Sequence, residues 1–254
     1  PQTMNLIGPS RTVEGLVYAG FDLITVATNH AKDCGLHGWN CQERAFNDTQ
    51  ANLAAAGLLA VGGGADLTAA RAPVIIERQG VRFAFLGVTE VGSETWAGAS
   101  VPGTAPLSDA ALDGLLADIA AARALADVVI VLPQWGVEYA DTPTDYQQRW
   151  AAAMLAAGAT LVIGNQAHTV QPVVASGWAD GAPAQVVAYA LGNFVFDQGP
   201  WRNRQGMLLR ATFHGAALAG YELLPIHIVS LYQPRWADPT EAATILERAN
   251  APIP

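Results

Sequence analysis

The sequence predicts an α/β domain built on an open sheet, with its polar chemistry gathered at the strand ends. Two patterns predict the class: short apolar runs alternate with helix-period segments, and several of the runs stop at polar clusters. The composition agrees, since 51% of the 254 residues are hydrophobic and 14% are charged. That is enough to bury a sizeable core without metals or many staples. No apolar run reaches the roughly 18 residues that a membrane span requires.

Asp22 to Ala27 reads as a buried strand that runs into Thr28-Asn29-His30. Glu43 to Ala56 reads as a helix with Phe46 and Leu53 on its apolar side, stopped by Gly57. Leu58 to Val61 is a short strand entering Gly62-Gly63-Gly64. That triplet lacks the glycine pattern and following helix of a phosphate loop, so it reads as a tight turn. Val74 to Glu77 and Val81 to Val88 flank Gln79-Gly80 as a hairpin. Ser108 caps a helix from Ala110 to Leu125, and Asp127 to Leu132 follows as a fully buried strand ending at Pro133-Gln134-Trp135-Gly136.

Thr144 to Ala157 is the next helix, with Gly158 as its stop. Thr160 to Ile163 is a buried strand ending at Gly164-Asn165-Gln166-Ala167-His168, and Gln185 to Leu191 runs into Gly192-Asn193-Phe194. Met207 to Phe213 and Tyr221 to Val229 form antiparallel strands, and a helix from Pro239 to Ala249 closes the chain. With no internal repeat or linker, residues 1–254 are expected to form one domain.

The formal net charge of −9 argues against a broad nucleic-acid or anionic-membrane surface. A local cationic pocket is still available through Arg202 and Arg204. Zinc would need more ligands near Cys34 and Cys41, and their spacing is not a redox motif. They read as a small disulfide loop, which implies an oxidising compartment, or otherwise as two thiols. Pro1 to Asn5 do not resemble a natural start, so a leader and a first strand are expected ahead of them.

In open α/β sheets, ligands bind outside the strand carboxyl ends. Three strands deliver Asn29-His30, Gln134-Trp135 and Gln166-Ala167-His168 to such positions. An Asn oxygen and an imidazole suit a borderline divalent metal, and His can also protonate a leaving oxygen. Taken singly, Asn-His is equally a helix cap beside a half-buried histidine, and His168 alone is equally structural. His37, His214 and His227 lack the strand-end context and read as structural. Asp197, two residues after Val195, could orient a histidine or simply cap a turn. No Gly-x-Ser-x-Gly elbow occurs, which removes the common serine-hydrolase route.

Four segments resemble one family in the same order: GFDLITVATNHAKD from Gly20, DVVIVLPQWGVEY from Asp127, GATLVIGNQAHTVQP from Gly158, and LGNFVFDQ from Leu191. Each is weak singly, and together they are specific. The chain resembles the CapA or PgsA type of poly-γ-glutamate biosynthesis protein, within the calcineurin-like metallophosphoesterases. The resemblance implies a four-layer αββα sandwich, with a first strand segment expected before Gly8. It also implies a divalent metal centre of Mn, Fe or Zn, with His30 as proton donor, aided by Asp197. Asn29, His168, Gln166 and Gln134 stand at its metal-ligand positions, although Gln134 and Gln166 replace histidines of many relatives.

Trp135, Glu138, Asn193, Arg202 and Arg204 are then expected to bind substrate, an acidic polymer such as polyglutamate or a phosphoester. A membrane-bound synthase is the implied protein partner, and a cell-surface location outside the cytoplasm is expected. Two functions follow: a metal-dependent hydrolase, or a non-catalytic component that binds or guides capsule polymer. A third, metal-independent hydrolase would use Asp33, Glu138 or Asp197 as acid and base.

Overall fold

The computed structural model describes residues 6–34, 41–177 and 184–253. His37 lies outside them. The chain begins with α1 (Thr12–Tyr18), β1 (Leu23–Thr25), α2 (Gln42–Ala55), β2 (Leu59–Val61), β3 (Gly63–Gly64) and α3 (Leu67–Arg71). The hairpin of β4 (Val74–Arg78) and β5 (Val81–Thr89) follows, then β6 (Gly103–Thr104), α4 (Asp109–Leu125), β7 (Val128–Gln134) and α5 (Asp145–Ala156). Next come β8 (Leu161–Ile163), β9 (Val173–Ser176), β10 (Gln185–Ala188), β11 (Gln205–His214), β12 (Ala217–Val229), β13 (Gln233–Trp236) and α6 (Pro239–Ala249).

A six-stranded sheet in the order β4-β5-β7-β8-β10-β9 organises the molecule. Its four inner strands run parallel, and the edge strands β4 and β9 are antiparallel. Both faces of the sheet are covered, which explains why β7 reads as an unbroken apolar run. Val129 and Val131 face one core, packed with Leu115, Ile119 and Ala122 of α4 and Trp150 and Met154 of α5. Val128 and Ile130 face the opposite core, packed with Leu209, Phe213, Leu218 and Tyr221 of β11 and β12.

The three-stranded sheet β11-β12-β13 packs α6 through Ile245, Ala249 and Met207. The parallel pair β1-β2 packs α2 through Val26, Phe46, Leu53 and Leu58. Helices therefore cover one face of the six-stranded sheet and the second sheet covers the other, a mixed α/β sandwich of the kind the resemblance implies.

Helix starts follow local chemistry. Ser108 accepts from the Ala111 amide, while Thr144 with Gln147 and Asp238 with Glu241 form capping boxes. Several elements differ from the sequence reading. β1 spans three residues and is only half-buried, because among the described residues it pairs with β2 alone. α1 fully buries none of its residues; Val13 and Leu16 pack half-buried against the α2 cluster. β13 contains Pro234, which is tolerated because this strand is an edge.

His227 is 3% exposed beneath the Trp201 ring, 4.3 Å between centroids. Burial pushes its pKa down, against the opposing pull of Glu241. Below the ordinary histidine value of about 6.5, the unfolded chain binds this proton more readily than the folded one. Stability is therefore full above about pH 6.5 and falls as pH drops toward the lowered folded value. Thermal melting at pH 7.5 and 5.5 should show a larger loss for the wild type than for His227→Gln; equal losses would remove the buried imidazole as the cause.

Candidate functional site

The strand ends of β1, β5, β7 and β8 meet at one place. Thr89 ends β5 in register with Gln134 at the end of β7, and Gln134 bridges to Asn165 beyond β8. The turn after β1 brings Thr28, Asn29 and His30 onto the same ground. Gly92, at φ 76°, permits that approach, since a Cβ there would lie 2.7 Å from the Cβ of Asn29.

Gln134 is the hub. Its Oε1 accepts from the Asn29 amide (2.8 Å) and the Thr89 hydroxyl (2.7 Å). Its Nε2 donates to Asn29 Oδ1 (2.9 Å) and Gln166 Oε1 (2.8 Å), with Thr28 Oγ1 at 3.2 Å. Gln166 in turn donates to Glu138 at 3.3 Å. Gln166 and His168 hold φ of 103° and 53°, and Tyr139 holds 64°. Three non-glycine residues in left-handed backbone within one loop cluster is strain of about 1–3 kcal/mol each, which the surrounding structure must enforce.

Two histidines flank the hub. His30 Nδ1 lies 2.7 Å from Asp33 Oδ2, and the Leu6 amide donates to the same oxygen at 2.7 Å. A carboxylate can only accept, so His30 keeps its proton on Nδ1 and presents Nε2 as the other ring atom. His168 Nδ1 lies 2.9 Å from Asn193 Oδ1. The amino group of Asn193 donates to the Asn203 carbonyl (2.8 Å) and to Gln198 Oε1 (3.2 Å), which fixes its oxygen toward His168. The His168 ring also packs between Tyr139 and Phe196, with centroids 5.9 and 5.1 Å away.

These groups open into a cleft of about 830 Å³. Asn29, His30, Gln134, Glu138, Tyr139, Gln166, His168 and Gln198 line its polar end, and Ile24, Val13, Leu16 and Leu53 line its apolar end. Arg44 supplies a cation to the wall. Lys32, beside the His30–Asp33 pair, is buried; desolvation lowers its pKa and Glu43 partly restores it. Cys34 and Cys41 form the expected disulfide on the same wall.

Several expected site residues lie elsewhere. Trp135 is fully buried in the helical-side core and donates to the Tyr189 carbonyl at 3.0 Å, because strand alternation turns it away from Gln134. Gly164 makes room for it, since a Cβ there would sit 2.3 Å from the indole nitrogen. Arg202 is paired with Asp141, and Arg204 lies 5.6 Å from the Trp201 ring centroid; neither lines the cleft. Asp197 is exposed and off the wall, while its neighbours Phe196 and Gln198 line it. Asn193 acts on His168 from behind. Thr89 and Tyr139 were not anticipated, although the register of the β5–β7 pair marks Thr89 once Gln134 is chosen.

Residues 1–198 match the family described as Bacterial capsule synthesis protein PGA_cap. The chain belongs to this capsule-synthesis family. It is 33% identical over 219 residues to the "PGA biosynthesis protein CapA" of Bacillus subtilis (strain 168), covering 85% of this chain and 53% of that protein. It is 30% identical over 232 residues to the "Capsule biosynthesis protein CapA" of Bacillus anthracis, covering 89% and 53%. The chain thus spans about half the length of these curated relatives.

Among solved structures, the NAD nucleotidase NadN of Haemophilus influenzae superposes with a TM-score of 0.55 at 11% identity, over 96% of this chain and 48% of that one. A putative 5'-nucleotidase from Staphylococcus aureus gives 0.53 at 16%, over 93% and 43%. At such identities the likeness establishes the fold, a mixed α/β sandwich of calcineurin-like phosphoesterase type.

That fold family implies a divalent metal at the strand ends. The residues present do not fit one. Among the described residues, no group of three or more His, Cys, Asp or Glu side chains is placed to hold a metal ion. Gln134 and Gln166, expected as ligands, are engaged with each other, and the oxygen of Asn29 is taken by Gln134.

Asn193 ties three groups together, so Asn193→Ala should destabilise the protein by about 1–3 kcal/mol through the orphaned partners. Urea unfolding monitored by circular dichroism checks this. A change below about 0.5 kcal/mol would show that His168 is held by its ring contacts alone.

Proposed function

We propose that the chain is a capsule-assembly component that binds an acidic polymer, poly-γ-glutamate, in the strand-end cleft without cleaving it. The observation that carries this reading is the cleft's polar end: carboxamides bonded to one another, flanked by two oriented imidazoles. Such a surface is suited to holding amides and carboxylates, and among the described residues no group of three or more His, Cys, Asp or Glu stands there to hold a metal ion. Membership in the capsule-synthesis family supplies the polymer, since the names of both Bacillus relatives refer to PGA or capsule biosynthesis.

The repeating unit of the polymer offers an amide and a carboxylate. Among the described residues, no hydrogen bond engages Nδ2 of Asn29 or Nε2 of His30 and His168, so these atoms are available to it. Tyr139 and Phe196 give its methylene groups apolar surface, and Arg44 gives a carboxylate its counter-charge. In this reading a membrane-bound synthase is the protein partner. The Cys34–Cys41 bridge accords with a location outside the cytoplasm, where disulfides persist.

Labelled poly-γ-glutamate should be retained by the protein in a mobility or anisotropy assay. The double variant His30→Ala with His168→Ala should weaken retention about tenfold, or about 1.4 kcal/mol. Polymer length should be unchanged after prolonged incubation, with or without added manganese. Shortened polymer would overturn the non-catalytic reading, and absence of retention would overturn the polymer.

A further inference from the structure

At the strand ends, oxygen atoms from three chain segments gather around one nitrogen. Thr28 Oγ1, Asn29 Oδ1 and Gln166 Oε1 lie 3.2, 2.9 and 2.8 Å from Nε2 of Gln134. Gathering oxygens around a point is what a protein does for a cation. Here the point is occupied by an amino group of the protein itself.

The orientation of this carboxamide is fixed. The backbone N–H of Asn29 can only donate, so the Gln134 atom 2.8 Å from it must be the oxygen. The Thr89 hydroxyl lies 2.7 Å from the same atom and 2.8 Å from the Val91 carbonyl, two acceptors that share its single proton. Flipping the amide would set N–H against N–H on one side and oxygen against oxygen on the other, in a side chain only 5% exposed. Gln166, 8% exposed, is bent to φ 103° and bonded to Gln134 and Glu138. The strained backbone and the directed amide belong to one arrangement.

The charge balance agrees. The oxygens around Nε2 are those of two carboxamides and a hydroxyl, all neutral, which matches a neutral donor and makes a weak ligand set for manganese or zinc. Of the nearby carboxylates, Glu138 accepts from Gln166, and Asp33 accepts from His30 and the Leu6 amide.

We propose that the Gln134 amino group is a built-in cation surrogate: its two protons go to the Asn29 and Gln166 oxygens, with Thr28 Oγ1 beside them, so the strand-end centre is complete without metal. This holds whatever the cleft binds, and does not depend on the polymer reading.

Gln134→Glu tests it with an isosteric change, replacing the amino group by oxygen. In EDTA at pH 7.5 this variant should melt at least ~4 °C below the wild type, since a carboxylate oxygen then faces the Asn29 and Gln166 oxygens, with the Thr28 hydroxyl the one donor left among the four. Manganese, magnesium or calcium should restore most of that loss by occupying the oxygen-lined gap. Gln134→Leu should also melt lower and gain nothing from any cation. The wild type should melt within about 1 °C of the same temperature in EDTA, manganese or zinc. A wild type stabilised by manganese or zinc, or a Gln134→Glu protein as stable as the wild type in EDTA, would overturn the proposal. If Gln134→Glu folds only with a cation, that is the same result in stronger form. If it folds under neither condition, calorimetric titration of the wild type with zinc decides, stoichiometric binding overturning the proposal and its absence supporting it.

Discussion

Gln134 accepts from the Asn29 backbone and the Thr89 hydroxyl while donating to Asn29 and Gln166, and none of these groups can turn without breaking that circuit. The bonds to Thr89 and Gln166 are buried, so breaking either would leave a polar group without water to replace its partner. The circuit joins the exits of β1, β5, β7 and β8: Asn29 and Gln134 are 105 positions apart, and Gln166 lies 32 beyond Gln134. It turns a set of strand ends into one site.

The circuit depends on a rigid support. β7 is covered on both faces, by α4 and α5 on one side and by β11 and β12 on the other, so its last residue is held in place and alternation sends Gln134 to the site and Trp135 to the core. His168 is held by a second support, the Asn193–Asn203–Gln198 network, reinforced by Tyr139 and Phe196. The left-handed backbone at Gln166 and His168 persists because both side chains are anchored at their far ends.

Much of this was legible in the sequence, for definite reasons. The parallel strands were readable because both faces are buried, leaving continuous apolar runs such as Val128 to Leu132. Asn29, His30, Gln134, Gln166 and His168 were readable as strand-end polar residues, and the structure brings all five to one cleft. Trp135 was misplaced because a motif lists neighbours in sequence, whereas a strand sends neighbours to opposite faces. Arg202, Arg204 and Asp197 were misplaced because irregular loops carry no period from which a direction can be read. That Gln134 would donate to Gln166 was beyond sequence reasoning, since only the Asn29 backbone decides which way the amide points.

The most direct measurement is the side-chain amide resonance of Gln134 in nitrogen-15-labelled protein, assigned by its loss in Gln134→Glu, with zinc chosen because it is diamagnetic. The account predicts slowly exchanging amide protons in EDTA, with shift and exchange rate unchanged on adding an equivalent of zinc. Amide protons that exchange freely in EDTA, or a resonance displaced by stoichiometric zinc, would contradict it, because the amino group would then not be what holds the strand-end oxygens together.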